Sequence, residues 1–231
     1  MTTTTRLRGR TGLALSLVVA LLLAISAQRA RADSNPNPGI LPPNSHAFGL
    51  TNGGWSAASW QYVGSIPVPN NPLFDQTGAN CGMGQSGPVW FLVGLFNAPG
   101  TATRSRTIPA GKALFFPILN GAFCCGTIGQ IRALGQRTLH DDTNLSAAVD
   151  GTAIPGLSTP VTIYLALSPV FTLTLPDNNI FGLPAGSYSP IVSDGIYLML
   201  APLPAGPHTV HFAGSSPGFS LDITYRLAIT S

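Results

Sequence analysis

The stretch "FSLDITYRLAIT", Phe219 to Thr230, alternates without a break. Phe219, Leu221, Ile223, Tyr225, Leu227 and Ile229 share one face, and Ser220, Asp222, Thr224, Arg226, Ala228 and Thr230 share the other. A period of two sustained this long predicts a strand with one buried face. "VFTLTL" repeats the pattern, with Phe171, Leu173 and Leu175 opposite Thr172 and Thr174, and "VTIYLALS" sets Val161, Ile163, Leu165 and Leu167 on one face. "VWFLVGLF", Val89 to Phe96, is apolar at nearly every position, which predicts a central strand covered on both faces. A further strand is expected from Lys112 to Ile118, with Pro117 marking an edge or a bulge, because proline donates no ladder hydrogen bond.

Helical signals are sparse. "GWSAASWQYVGSIP" places Trp55, Ser59 and Tyr62 near helical spacing, with Trp60 pointing elsewhere and Pro67 as a stop. The stretch "IRALGQRTLHDDTNLSAAVDG" is the least strand-like and predicts short helical pieces. "IPAG" at Ile108 and "LPAG" at Leu183 and Leu203 read as strand-joining turns, since proline presets φ and glycine tolerates the turn exit. With no βαβ alternation, the expected fold class is all-β: a β-sandwich or jelly roll with one or two short helices.

The N-terminus changes what the composition means. Arg6, Arg8 and Arg10 precede an apolar run from Leu13 to Ile25, and Ala30 and Ala32 form a small-residue cleavage motif. This is the layout of a secretory signal peptide over residues 1–32, too short in its apolar core for the roughly twenty residues of a membrane span. An extended lead-in is expected over residues 33–50 and a single β-sandwich domain over residues 51–231, exported to the periplasm or medium.

Five of the eleven basic residues lie in the leader and none of the eight acidic ones does, so the remainder is net negative. The sequence pI near 9.0 therefore describes the leader and gives no argument for nucleic acid, which needs a clustered basic face. Glu is absent and Lys112 is the single lysine.

In an oxidising compartment Cys81 is expected to bridge to Cys124 or Cys125, with the third cysteine buried, intermolecular or part of a vicinal pair. For other chemistry the densest polar cluster is "HDDTN". Asp141, Asp142 and Asn144 offer hard oxygen ligands for Ca²⁺, and a solvated turn is the competing reading. Asp75, paired with Asp141, Asp142 or a histidine such as His208, would make a hydrolase site. Trp60 and Tyr188 are candidates for a carbohydrate-stacking platform. Asp177 and Asp194 sit beside Asn or Gly and read as turn residues. His208 and His211 stand an odd number of residues apart after a turn, which on a strand sends their rings to opposite faces.

The segments "SIPVPNNPLFDQTGANCGMGQSGPVWFLVG", "RTIPAGKALFFPILN" and "DGIYLMLAPLPAGPHTVHFAG" resemble a group of uncharacterised secreted bacterial proteins that carry signal peptides. The resemblance implies export and one β-rich domain, and it assigns no catalytic role. The expected function is that of an exported, non-enzymatic sandwich binding a glycan or cell-surface ligand, or serving the envelope structurally. The alternative is the Asp75 hydrolase.

Overall fold

The computed structural model describes Met1 and residues 38–157 and 163–231, so the predicted leader, the start of the lead-in and Val161 lie outside the described residues. In chain order the helices are α1 (Asn52–Gly64) and α2 (Ile128–His140). The strands are β1 (Val89–Phe91), β2 (Gly100–Pro109), β3 (Ala113–Phe123), β4 (Thr143–Val149), β5 (Thr152–Ala153), β6 (Leu165–Leu167), β7 (Phe171–Leu175), β8 (Gly186–Leu200), β9 (Gly206–Ser216) and β10 (Phe219–Thr230).

They form two five-stranded sheets, one ordered β1-β3-β8-β6 with β7 also pairing β8, the other β2-β10-β9-β4-β5. Inward side chains of both sheets build the main core, where Phe116 of β3 stacks on Phe212 of β9 at 5.2 Å between centroids. The fold is the expected β-sandwich. A parallel pair at one edge of each sheet, β1 with β3 and β2 with β10, sets it apart from a purely antiparallel jelly roll.

Each well-patterned strand lies where its period places it. β10 buries Leu221, Ile223, Tyr225, Leu227 and Ile229, and β7 buries Phe171, Leu173 and Leu175. The first sheet is covered on its second face too. There α1 packs with Phe115, Ala166, Tyr197 and Met199 beneath Trp55, and the Asn52 Nδ2 donates to the Tyr197 carbonyl at 3.1 Å. The buried residues of α1 are Asn52, Gly53, Ser56, Ala57, Trp60, Tyr62, Val63 and Gly64. Trp60 therefore belongs to the inward face, and small residues rather than large apolar ones make the close approach.

Three strand expectations change. "VWFLVGLF" is buried but not central: β1 is three residues long and ends its sheet. Beyond Phe91 the Leu92 N–H still donates to the Phe115 carbonyl, but the Val93 peptide is bonded by the side chains of Tyr225 and Arg104 instead of a neighbouring strand. Pro117 lies in β3, between β1 and β8, and is accommodated by a register shift between Pro117 and Leu119, so the bulge reading holds and the edge reading does not. In β6 the expected apolar face is turned outward: Ile163 is 68% exposed and Leu165 and Leu167 are exposed, while Tyr164 and Ala166 are buried. The cover for β6 comes from α1, so close that a Cβ on Gly53 would lie 2.2 Å from the Leu167 carbonyl oxygen.

The least strand-like stretch holds one full helix, α2, opened by a capping box in which Thr127 and Gln130 satisfy each other's backbone N–H groups. It is followed by β4, which alternation of Leu145, Ala147 and Val149 would have marked. Residue Ile40 of the lead-in bridges Leu200 of β8 and is buried, so the described part of the lead-in packs as part of the domain.

Candidate functional site

At one end of the sandwich α1, the chain from Phe91 to Asn97, the far half of β3, the C-terminal end of α2 and the β9–β10 turn line a cavity of about 570 Å³ that is partly open to solvent. Its aromatic wall is Trp60, Phe91, Phe96, Phe123, Phe181 and Phe219. The rings brace one another: Phe181 stacks on Trp60 at 6.3 Å and meets Phe96 edge-on at 5.6 Å. Polar groups in the wall include Ser59, Asn120 and Thr138, and Asp142 is its one acidic or basic residue among the described residues.

Asp142 lies between α2 and β4, its N–H donating to the Leu139 carbonyl at 3.3 Å. The residue is 3% exposed, and its Oδ2 is buried without a hydrogen-bond partner. Burial, reinforced by the adjacent Asp141 charge, raises its pKa to about 7. Asp141 itself is exposed and faces His140, with Nδ1 and Oδ1 3.2 Å apart. Asn144 is exposed, with φ of 55°. Among the described residues no group of three or more His, Cys, Asp or Glu is placed to hold a metal ion. The three residues of the Ca²⁺ reading thus divide between a buried wall and an exposed turn.

Asp75 organises a loop. Its Oδ1 accepts from the Thr77 N–H at 2.8 Å, the Thr77 hydroxyl at 2.9 Å and the Gly78 N–H at 3.0 Å, and its Oδ2 accepts from the Asn80 N–H at 2.7 Å. Burial acts to raise its pKa, but these donors outweigh it and the value is lowered. Arg104, fully buried, donates to the Asp75 carbonyl, to the Gly94 carbonyl and to the Tyr225 hydroxyl at 2.7, 3.0 and 2.8 Å. None of Asp75, Arg104 and Tyr225 lines the cavity.

His208 is occupied on both ring nitrogens, with Nδ1 2.7 Å from Asp150 Oδ2 and Nε2 3.0 Å from the Pro204 carbonyl oxygen. It shares its face with buried Val210 and Phe212, while His211 lies on the opposite face, 3.0 Å from Asp222. Asp75 and His208 are therefore each engaged with their own partners outside the cavity wall, apart from Asp142. Of the proposed stacking pair, Trp60 lines the cavity and Tyr188 does not; the Tyr188 hydroxyl donates to the Pro184 carbonyl at 2.8 Å.

Two further expectations are corrected. Cys124 and Cys125 lie at disulfide distance from each other, and Cys81 is a free, buried thiol. Cys81 instead sits 3.9 Å from Asp75 and 3.8 Å from the Tyr225 hydroxyl, enclosed by the loop it was expected to tether. Asp194 is not a turn residue. It is fully buried within β8 and ion-paired to Arg132 of α2. Asp177 does occupy a turn.

The cavity residues that sequence reasoning passed over, Phe96, Asn120 and Phe181, come from three separate segments, and no local spacing connects them. A usable signal existed for Asp142 alone: the Thr127–Gln130 capping box and the alternation of β4 bracket it between a helix end and a strand start.

No family model and no curated protein matches the chain. Among solved structures, a chain from "Structure of PbICP-C in complex with falcipain-2" aligns with 62% of this chain and 100% of its own length, at 11% identity and a TM-score of 0.26. A likeness at that score carries no argument about fold or function.

Proposed function

We propose that the protein is an exported, non-enzymatic β-sandwich that binds a small, largely apolar ligand in the cavity at the end of the sandwich. The observation that carries this reading is the cavity itself, about 570 Å³ and walled by six aromatic rings, within the range of volume and lining typical of small-molecule sites. The glycan platform is less favoured, because Trp60 is buried against Phe181 and Tyr188 stands outside the cavity. The hydrolase alternative needs a second acid, base or nucleophile within reach of the first, and among the described residues Asp142 has no ionisable companion in the wall.

Fluorescence titration with the neutral probe N-phenyl-1-naphthylamine tests the reading. Saturable one-to-one binding is expected, and Ala122→Trp, which places an indole in the cavity wall, should abolish it while the far-ultraviolet spectrum stays the same. Absence of saturable binding, or equal binding by a folded Ala122→Trp protein, overturns the proposal.

A further inference from the structure

We infer that the cavity selects an organic cation, an alkyl or aryl ammonium with an apolar body, whose charged nitrogen pairs with the Asp142 carboxylate while the body fills the aromatic chamber. This rests on the reading of the cavity as a ligand site and names the class of ligand.

A buried carboxylate without a counter-ion is costly and is retained where a partner completes it. Within this protein the comparison is direct. Asp194, also buried, receives the Arg132 guanidinium from α2. Asp142, just beyond the end of the same helix, has an Oδ2 without a donor, as Asp194 does, but no cationic side chain stands beside it among the described residues. Where Asp142 is ionised, a cation entering the cavity from outside the chain would complete it.

The surroundings favour positive charge in three further ways. Asp142 follows the C-terminal end of α2, where the helix dipole is negative and a cation is stabilised. Asp141 adds a second negative charge that acts on Asp142. The aromatic wall offers π faces, which attract ammonium groups. Among the described residues no opposing charge faces the cavity: Thr138 and Leu139 of α2, Asn120 and Phe123 of β3 and the turn from Ser216 to Phe219 bring no ionisable side chain, and the basic residues of the last turn of α2 are engaged elsewhere, Arg137 with the Ala133 carbonyl and His140 with Asp141. An anionic ligand would meet only like charge.

The test compares three probes of matched shape, 4-phenylbutylammonium, 4-phenylbutanol and 4-phenylbutyrate, by calorimetric titration of the whole protein at pH 8. The ammonium should bind about tenfold or more tightly than the alcohol, as expected for one charge-assisted contact, and the carboxylate most weakly. Asp142→Asn should remove the preference while leaving the affinity for the alcohol within about twofold. Lowering the pH to 6 should shrink the preference in the parent protein, because Asp142 takes up a proton, and leave the variant unchanged. Binding of the alcohol as tightly as the ammonium, or a preference that persists in Asp142→Asn, overturns the inference while the cavity reading stands. Failure of all three probes to bind overturns both.

Discussion

Arg104 and Tyr225 stand directly opposite one another in the parallel β2–β10 pair, and the guanidinium donates to the phenolic oxygen at 2.8 Å. The same hydroxyl accepts from the Val93 N–H and donates to the Val93 carbonyl, each at 2.9 Å. Two side chains of one sheet thereby satisfy the Val93 N–H and carbonyl just beyond β1 of the other, where the chain goes on to line the cavity. Burial pushes the Tyr225 phenol far above its ordinary pKa, with Arg104 opposing, so the hydroxyl stays protonated. Tyr225→Phe keeps the ring beside Phe212 but strands the Val93 N–H and one guanidinium donor. A loss of about 2–3 kcal/mol in urea unfolding is expected, and an unchanged midpoint would contradict this role.

Asp75 makes the loop before β1 sensitive to acid. Its folded pKa lies below the unfolded value, so its contribution is present above about pH 4 and is lost as pH falls through the folded value. Asp75→Ala should cost about 2 kcal/mol at neutral pH by removing the acceptor for clustered N–H groups. The variant's stability should also fall less steeply than the parent's below pH 4, as followed by circular dichroism.

Asp142 acts with the opposite sign. Its folded pKa is raised to about 7, so the native state holds a proton that the unfolded chain releases above about pH 4. Stability therefore declines as pH rises from about 4 to about 7 and is lower by a constant amount beyond. Asp142→Asn should be more stable than the parent by about 2 kcal/mol at pH 8 and indistinguishable at pH 3. Parallel pH–stability curves for the two proteins would exclude an elevated Asp142 pKa.

The Arg132–Asp194 pair ties α2 to β8. Burial raises the Asp194 pKa and Arg132 opposes the rise. Gly135 of the same helix comes so close that an added Cβ would lie 2.3 Å from Asp194 Oδ2. Arg132→Met leaves a buried carboxylate unpaired and should cost about 3–5 kcal/mol, whereas Arg132→Met combined with Asp194→Leu should recover much of it. Hydrogen exchange over residues 128–140 should rise in the single variant and return toward the parent in the double one. Equal loss in both would assign the effect to packing alone.

The helix α1, the strands β7 and β10 and the opposed rings of His208 and His211 were legible in the residue pattern, because each depends on a period of the chain itself. Asp194 was not: beside Gly195 it has the local look of a turn, and only pairing of β8 with β3 and β6 and docking of α2 through Arg132 put it inside the protein. The vicinal bridge likewise depends on where the loop carrying Cys81 folds, around Asp75 and away from Cys124 and Cys125.

The sequence by itself determined which residues share a face, since side-chain direction follows backbone geometry over a few residues. Tertiary structure decided which face is covered and by what. β6 shows the difference: its alternation was read correctly as a period, yet Leu165 and Leu167 face outward because α1 lies over Ala166. The cavity belongs to the same category. Its wall gathers segments from Ser59 to Leu221, and burial of the unpartnered Asp142 exists only after those segments have packed around it.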